Sequence, residues 1–400
     1  MPQPEHVVVV GAGLGGVRTV EKLRSGGYPG RLTLIGAEER APYDRPPLSK
    51  QILHGAWEPE RVSLWDEPSL AALDIALRLG VPAVGLHGTK VELADGTSVA
   101  GDAVVLATGV GARRIPGQPA DVLTLRSLDD AVVLREALAG AESLLIIGGG
   151  FIGAEVAHAA RLRGLRVTVV EALEAPCARV LGTRVGALAG RLFTEAGVEL
   201  RCGVSVQRFV DGHTVVLSDG DTVSADVVLL SIGSVPAVAW LDGLGFDTAG
   251  GLACDDQGRV LGADGSWVAR VWALGDMAAW ADPIRGRHHR SEHWTSAVDQ
   301  AGVVASGLLG LPGPPPAVPY VWSDQFGLKI QSVGRPDLAD TVVPLHGDGL
   351  GGGPIAGTLV GYFAEDTLVG VVGFGAARHL LRYRPLVAAG ADRATVLAAA

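Results

Sequence analysis

The sequence predicts an α/β protein of two parallel-sheet units followed by a small α+β domain, and three observations carry that prediction. An apolar run, a glycine cluster, a helix-spaced stretch and a second apolar run follow one another over residues 7–35, and the same order returns over residues 144–170. Each repeat is followed by hairpin character and then a strand ending in glycine. In the first, Asp95-Gly96 is the turn before residues 103–109; in the second, Asp219-Gly220 precedes residues 226–233. Beyond Gly310 the Pro-rich stretch 311–316 cannot continue a helix and reads as a linker, residues 318–375 alternate β-like runs with turns, and residues 376–400 are helical at both ends. The repetition implies duplicated domains, each a parallel sheet with an inserted antiparallel layer.

With 400 residues, 48% of them hydrophobic, the chain can bury more than one core. Its 57 glycines follow no three-residue period and lie between apolar runs, as turns and close backbone approaches. No apolar stretch reaches the roughly 18–20 residues that cross a bilayer, and residues 1–10 lead into a Val-rich strand rather than a cleavable leader, so a cytoplasmic protein is expected. Cys177, Cys202 and Cys254 are too scattered for a disulfide framework, a zinc site or a redox Cys-x-x-Cys pair and are expected to be small buried hydrophobes. A formal charge of −10 disfavours nucleic acid and anionic membranes as partners. Two basic islands interrupt it, Arg-Gly-Arg-His-His-Arg at 285–290 and the group Arg378, His379, Arg382 and Arg384, and both read first as solvated faces.

Gly11-x-Gly13-x-x-Gly16, with Leu14 inside it, stands between a predicted strand and a predicted helix. There the glycines make the tight turn and let a pyrophosphate reach the helix N-terminus, and Glu38, 22 residues after Gly16, is placed to bond a ribose hydroxyl. Gly148-x-Gly150-x-x-Gly153, enclosing Phe151 and Ile152, meets the same conditions, with Glu171 18 residues after Gly153. An acid at that place accepts bonds from a ribose diol and repels a 2′-phosphate, which favours NADH over NADPH. Each motif therefore predicts a Rossmann-like dinucleotide-binding domain. One such site can hold a flavin permanently while the other exchanges a nicotinamide nucleotide, the arrangement of a flavoprotein reductase.

The segment Arg40-Ala-Pro-Tyr-Asp-Arg-Pro-Pro-Leu-Ser-Lys50 resembles the bacterial FAD-dependent ferredoxin reductases of oxygenase electron-transfer chains, which include the putidaredoxin, rubredoxin and biphenyl-dioxygenase ferredoxin reductases. The resemblance continues through Ala107-Thr-Gly109, residues 148–155, Gly233-Ser-Val-Pro236, Ala273-Leu-Gly-Asp276, Glu292-His-Trp294 and Trp322-Ser-Asp-Gln325. It implies two Rossmann-like domains for FAD and NAD in a glutathione-reductase-like arrangement plus a C-terminal α+β domain. The expected ranges are 1–112 with 241–316 for FAD, 113–240 for NAD, and 317–400 at the flavin and acceptor face.

By the same resemblance Asp276 bonds the flavin ribitol, while Arg45, Pro46 and Lys50 line the flavin, with Val84, Thr108, Gly109, Glu292 and Trp294 completing that set alongside the first glycine motif. Lys50 is then a fixed positive charge that favours hydride arrival. Glu155 is implied to lie near the nicotinamide and to pair with Lys50, Gly233 to line the NAD site, and Trp322 to approach the flavin and face the acceptor. Outside their motifs these residues read as a surface lysine, an acid favoured by a helix N-terminus and a core tryptophan.

The function so implied is transfer of hydride from NADH to FAD and of single electrons onward to a small acidic ferredoxin-type carrier, by a monomer or weak dimer, with rubredoxin as an alternative acceptor. Cysteine-dependent NADH oxidases and coenzyme A disulfide reductases share the architecture but need a cysteine where Tyr43-Asp44-Arg45 stands. A redox switch resembling apoptosis-inducing factor is the rival from another class, separated by turnover. His288, His289 and His293 do not read as a metal site, since no carboxylate or cysteine set completes them, and the loop instead suits steering of an acidic ferredoxin.

Overall fold

The computed structural model describes residues 3–399. In chain order, the elements that position the site are β1 (His6–Val10), α1 (Leu14–Ser25), β2 (Arg31–Ile35), β3 (Ala103–Leu106), β4 (Ser143–Ile147), α2 (Phe151–Leu162), β5 (Arg166–Glu171), α3 (Ala178–Glu195), β6 (Val227–Leu230), β7 (Trp267–Ala273), α4 (Trp294–Leu309), β8 (Tyr320–Gln325), β9 (Leu328–Gly334) and α5 (Ala377–Ala389). The chain folds into two compact units, the first formed by Met1–Asp44, Val62–Gly111 and Val235–Ala317, the second by Arg45–Arg61, Ala112–Ser234 and Val318–Ala400.

In the first unit, β7, β3, β1 and β2 lie side by side and parallel within a nine-stranded sheet. Their register aligns Val10 with Ile35 and Leu106, and Leu106 with Ala273, so all four strands end at one edge. The run His6-Val-Val-Val-Val10 is buried along its whole length, as a strand covered on both faces requires. α1 turns Val17, Val20 and Leu23 inward and packs with α4 through a core of Leu32, Leu34, Leu274, Val304 and Leu308. A three-stranded antiparallel layer, Ala83–His87, Lys90–Leu93 and Ser98–Ala100, is the inserted layer foreseen in the sequence.

The second unit repeats the plan with a parallel sheet of Glu199–Cys202, β5, β4 and β6 and an antiparallel layer of Val206–Phe209, Thr214–Leu217 and Thr222–Ser224. A five-stranded antiparallel sheet that begins with β8 and β9 belongs to the same unit. It shares a core with α3, in which Leu181, Val185 and Leu188 meet Ile330, Tyr362 and Phe374. The segment Arg45–Arg61 also packs here: Leu53 is fully buried against Leu134, Ala157 and Phe193, and its carbonyl accepts from Arg163 Nη1 at 2.8 Å.

Cys177 and Cys254 are buried as expected, whereas Cys202 is only half-buried, because its strand Glu199–Cys202 is at the edge of its sheet. His288 and His289 are neighbours on the strand Arg287–Arg290, so their side chains point to opposite faces. Among the described residues no helix is long and apolar enough to cross a membrane.

Candidate functional site

The edge where β1, β2, β3 and β7 end gathers most of the first unit's expected residues, at the carboxyl ends of parallel strands where open α/β sheets bind ligands. Gly11 follows β1 at φ +116°, and a Cβ built there would lie 2.1 Å from the Ala107 carbonyl oxygen. A Cβ at Gly16 would lie 1.9 Å from the Gly11 carbonyl oxygen, so the helix can approach the turn only without side chains. Gly13, by contrast, has no atom within 4 Å of its would-be Cβ and stands at the N-cap of α1 with no side chain capping the helix. Open space before uncapped helical N–H groups fits a dinucleotide pyrophosphate.

Beyond β2, Glu38 accepts a 2.5 Å hydrogen bond from Tyr43 Oη, which orients the carboxylate. After β3, Thr108 Oγ1 donates to the Ala237 carbonyl at 2.8 Å and touches Met277 Sδ at 2.9 Å, and Gly109 turns the chain at φ +71°. After β7, Asp276 lies in a short turn braced by the Gly275 N–H to Gln300 Oε1 (2.7 Å) and by Arg290 Nη1 to the Asp276 carbonyl (2.7 Å). Glu292 pairs with Arg290 at 2.7 Å, and Trp294 Nε1 donates to Asp44 Oδ1 at 2.8 Å. Val84 lies on the antiparallel layer with its side chain exposed.

The second unit places Gly148, Gly150, Gly153, Glu171 and Gly233 at the equivalent edge, beyond β4, β5 and β6. A Cβ at Gly148 (φ +109°) would meet the Ser231 carbonyl oxygen at 2.2 Å, and one at Gly153 the Gly148 carbonyl oxygen at 2.2 Å, while Gly150 again faces open space at the uncapped start of α2. Glu171 Oε2 accepts from the Gly149 N–H at 2.7 Å and Oε1 from the Leu173 N–H at 2.8 Å, fixing the acid beside the loop. Gly233 turns away from β6 at φ +99°. Phe151 packs against the α3 core and Ile152 is exposed.

Below that loop, Glu155 on the first turns of α2 is 3% exposed and receives Lys50 Nζ at 2.8 Å. The Lys50–Glu155 ion pair expected from the resemblance is therefore present. Lys50 lies on a short helical turn, Leu48–Ile52, entered through Pro46 and Pro47, and its Nζ also donates to the Pro46 carbonyl at 3.0 Å. Arg45 Nη1 donates to the Arg126 carbonyl at 2.7 Å. Trp322, on β8, stacks with Tyr320 at a ring separation of 5.9 Å.

Two further side chains hold Glu155, and a third holds one of them. Ser49 Oγ donates to Oε2 at 2.5 Å, Ser323 Oγ donates to Oε1 at 2.6 Å, and Gln325 Nε2 donates to Ser323 Oγ at 3.1 Å. Ser49, Ser323, Gln325 and Tyr43 went unassigned in the sequence, although all four stand inside the motifs that carry the resemblance. Burial pushes the Cys177 thiol up to about 12, so it stays protonated near neutral pH.

Comparison with known proteins agrees with this geometry. The family model described as pyridine nucleotide-disulphide oxidoreductase matches residues 5–301, and that described as reductase C-terminal matches residues 320–400. The benzene 1,2-dioxygenase system ferredoxin–NAD(+) reductase subunit of Pseudomonas putida is 38% identical over 338 residues, covering 82% of this chain and 80% of that protein. The biphenyl dioxygenase system ferredoxin–NAD(+) reductase component of Paraburkholderia xenovorans is 38% identical over 361 residues, covering 88% and 86%. The reductase in a covalent putidaredoxin reductase–putidaredoxin complex superposes with a TM-score of 0.90 at 28% identity, over 98% of this chain and 95% of that one.

Proposed function

The chain belongs to the pyridine nucleotide-disulphide oxidoreductase family, and we propose that within it the protein works as an FAD-dependent NADH:ferredoxin oxidoreductase supplying single electrons to a small iron–sulfur carrier of an oxygenase system. The observation that carries this reading is the pair of open, uncapped glycine loops, each followed by an oriented acid, with a buried Lys50–Glu155 ion pair under the second alone. Bound FAD supplies the two-electron-in, one-electron-out chemistry that no side chain here provides.

The first loop, with Glu38, Thr108 and Asp276, is assigned to FAD. Gly11, Gly13 and Gly16 admit its pyrophosphate, and Glu38, held by Tyr43, accepts from the ribose. The second loop is assigned to NADH. Glu171 meets the adenosine ribose, and its charge disfavours a 2′-phosphate there. Lys50 provides the fixed positive charge that hydride arrival calls for, and Glu155 holds it in place. Trp322 is assigned to the acceptor side, where a large ring excludes water and oxygen.

The carrier is proposed to be acidic, because α5 exposes Arg378, Arg382 and Arg384 on a chain of formal charge −10. A monomer or weak dimer and a cytoplasmic setting, where NADH is available, belong to the same reading. The test is cytochrome c reduction by the FAD-loaded protein. NADH is expected to drive it only when a two-iron ferredoxin is added, with NADPH much less effective. Strict dependence on rubredoxin instead would move the acceptor assignment, and turnover with neither carrier would refute it.

A further inference from the structure

Glu155 is gripped from two sides, and only one grip belongs to its lysine. Oε2 takes Ser49 and Lys50, whereas Ser323 is the single donor to Oε1 among the described residues. A carboxylate only accepts, so the Ser323 hydroxyl proton points at Oε1, and the oxygen it comes from accepts the Gln325 amide. Gln325 is fully buried, so its donation to the Ser323 oxygen is held in place by packing.

The strand that carries both residues is pinned at its tip. β8 and β9 are joined by Phe326-Gly327 with φ values of +49° and +79°, the primed two-residue turn that matches strand twist. A phenylalanine in the left-handed region is unfavourable by itself. It persists here because its ring packs on Phe193 of α3 at 5.0 Å and on His158 of α2 at 5.6 Å. The hairpin thus inserts between the helices of the second dinucleotide fold and delivers Ser323 under Glu155, one turn of α2 before His158.

We propose that Ser323, oriented by Gln325, is a positioning residue for hydride transfer, fixing the Glu155 carboxylate so that Lys50 is held in one place. The inference rests on the NADH-reductase reading above. Without the Ser323 hydroxyl, Oε1 loses its donor and the carboxylate is held through Oε2 alone; terminal torsions of this kind have broad wells, so its range widens and the Lys50 ammonium bonded to Oε2 moves with it.

Two readouts test this, one of them independent of turnover. The chain has only four lysines, so acylation at Lys50 can be followed by mass spectrometry against Lys22, Lys90 and Lys329. In Ser323→Ala, Lys50 labelling is expected to rise several-fold with the other three unchanged. In the FAD-loaded protein the limiting rate of flavin bleaching by NADH should fall about tenfold with little change in NADH affinity, as loss of one hydrogen bond to a buried charge implies. Ser323→Thr, which keeps the hydroxyl, should restore both. Gln325→Met should shift both in the same direction by less, and it carries the test if Ser323→Ala does not fold.

Wild-type labelling and rate in Ser323→Ala would overturn the proposal while leaving the reductase reading intact, as would equal loosening of all four lysines. A wild-type protein whose flavin NADH does not bleach would overturn both together.

Discussion

The two glycine loops are near copies in backbone and opposites in the residue they display. Gly11 and Gly148 turn at +116° and +109°, and both helices start at a glycine facing open space. Seven residues after the first glycine of each motif stands Arg18 in one unit and Glu155 in the other. Arg18 is 28% exposed, pairs with Glu21 at 2.6 Å and lies over the Trp294 ring at 5.9 Å. Glu155 is 3% exposed and holds a buried lysine. The position carries a half-buried arginine on the helix behind the loop assigned to a resident cofactor, and a buried charge beneath the loop assigned to a nucleotide that comes and goes.

The largest effect should come from the glycines that make the loops alike. Gly16→Ala forces backbone apart at a 1.9 Å overlap and is expected to abolish FAD retention, whereas Gly153→Ala, overlapping at 2.2 Å, should keep FAD and lose NADH reduction by tenfold or more. Flavin content after gel filtration and NADH titration separate the two. If both variants lose FAD alike, the division of labour between the loops is wrong.

Next comes the position where the loops differ. Glu155→Gln leaves Lys50, only 12% exposed, without its counter-charge, and breaking a buried pair costs on the order of 3–5 kcal/mol. A marked fall in Tm together with a slower flavin reduction is expected. Arg18→Ala should cost no more than about 1 kcal/mol in denaturant unfolding, as a partly exposed pair of neighbouring helix residues implies. Equal losses would erase the contrast.

A smaller effect separates the two acids beyond the loops. Glu171→Gln should raise the NADH Kd by about tenfold and narrow the preference over NADPH, roughly the worth of one charge-assisted bond, without altering FAD affinity. Fluorescence titration of each ligand reads this directly. Smallest of all, iodoacetamide at pH 8 should leave activity unchanged, because the Cys177 thiol is pushed up to about 12 and Cys254 is raised further by burial. Inactivation that tracks modification of either would contradict a cysteine-free mechanism.

The duplicated plan was legible because it is written in local signals. Gly11-x-Gly13-x-x-Gly16 and its copy demand particular backbone turns, and the apolar runs His6–Val10 and Ser143–Ile147 demand buried parallel strands. The Lys50–Glu155 pair came only through family resemblance, since no spacing rule links residues 105 positions apart. Ser49 and Ser323, 106 and 168 positions from Glu155, were invisible as partners for the same reason: a serine in a motif gives no sign of what it will face after folding. The placement of Arg45–Arg61 with the second unit was equally hidden, because it depends on where Leu53 finds a cavity among Leu134, Ala157 and Phe193.

The most direct test of the central claim is anaerobic stopped-flow mixing of the FAD-loaded protein with NADH, then with an oxidised two-iron ferredoxin. Rapid bleaching of the flavin spectrum by NADH, much slower bleaching by NADPH, and reoxidation at the rate of ferredoxin reduction are the predicted results. Flavin that NADH bleaches but ferredoxin cannot reoxidise, or that NADH does not bleach at all, would contradict the account.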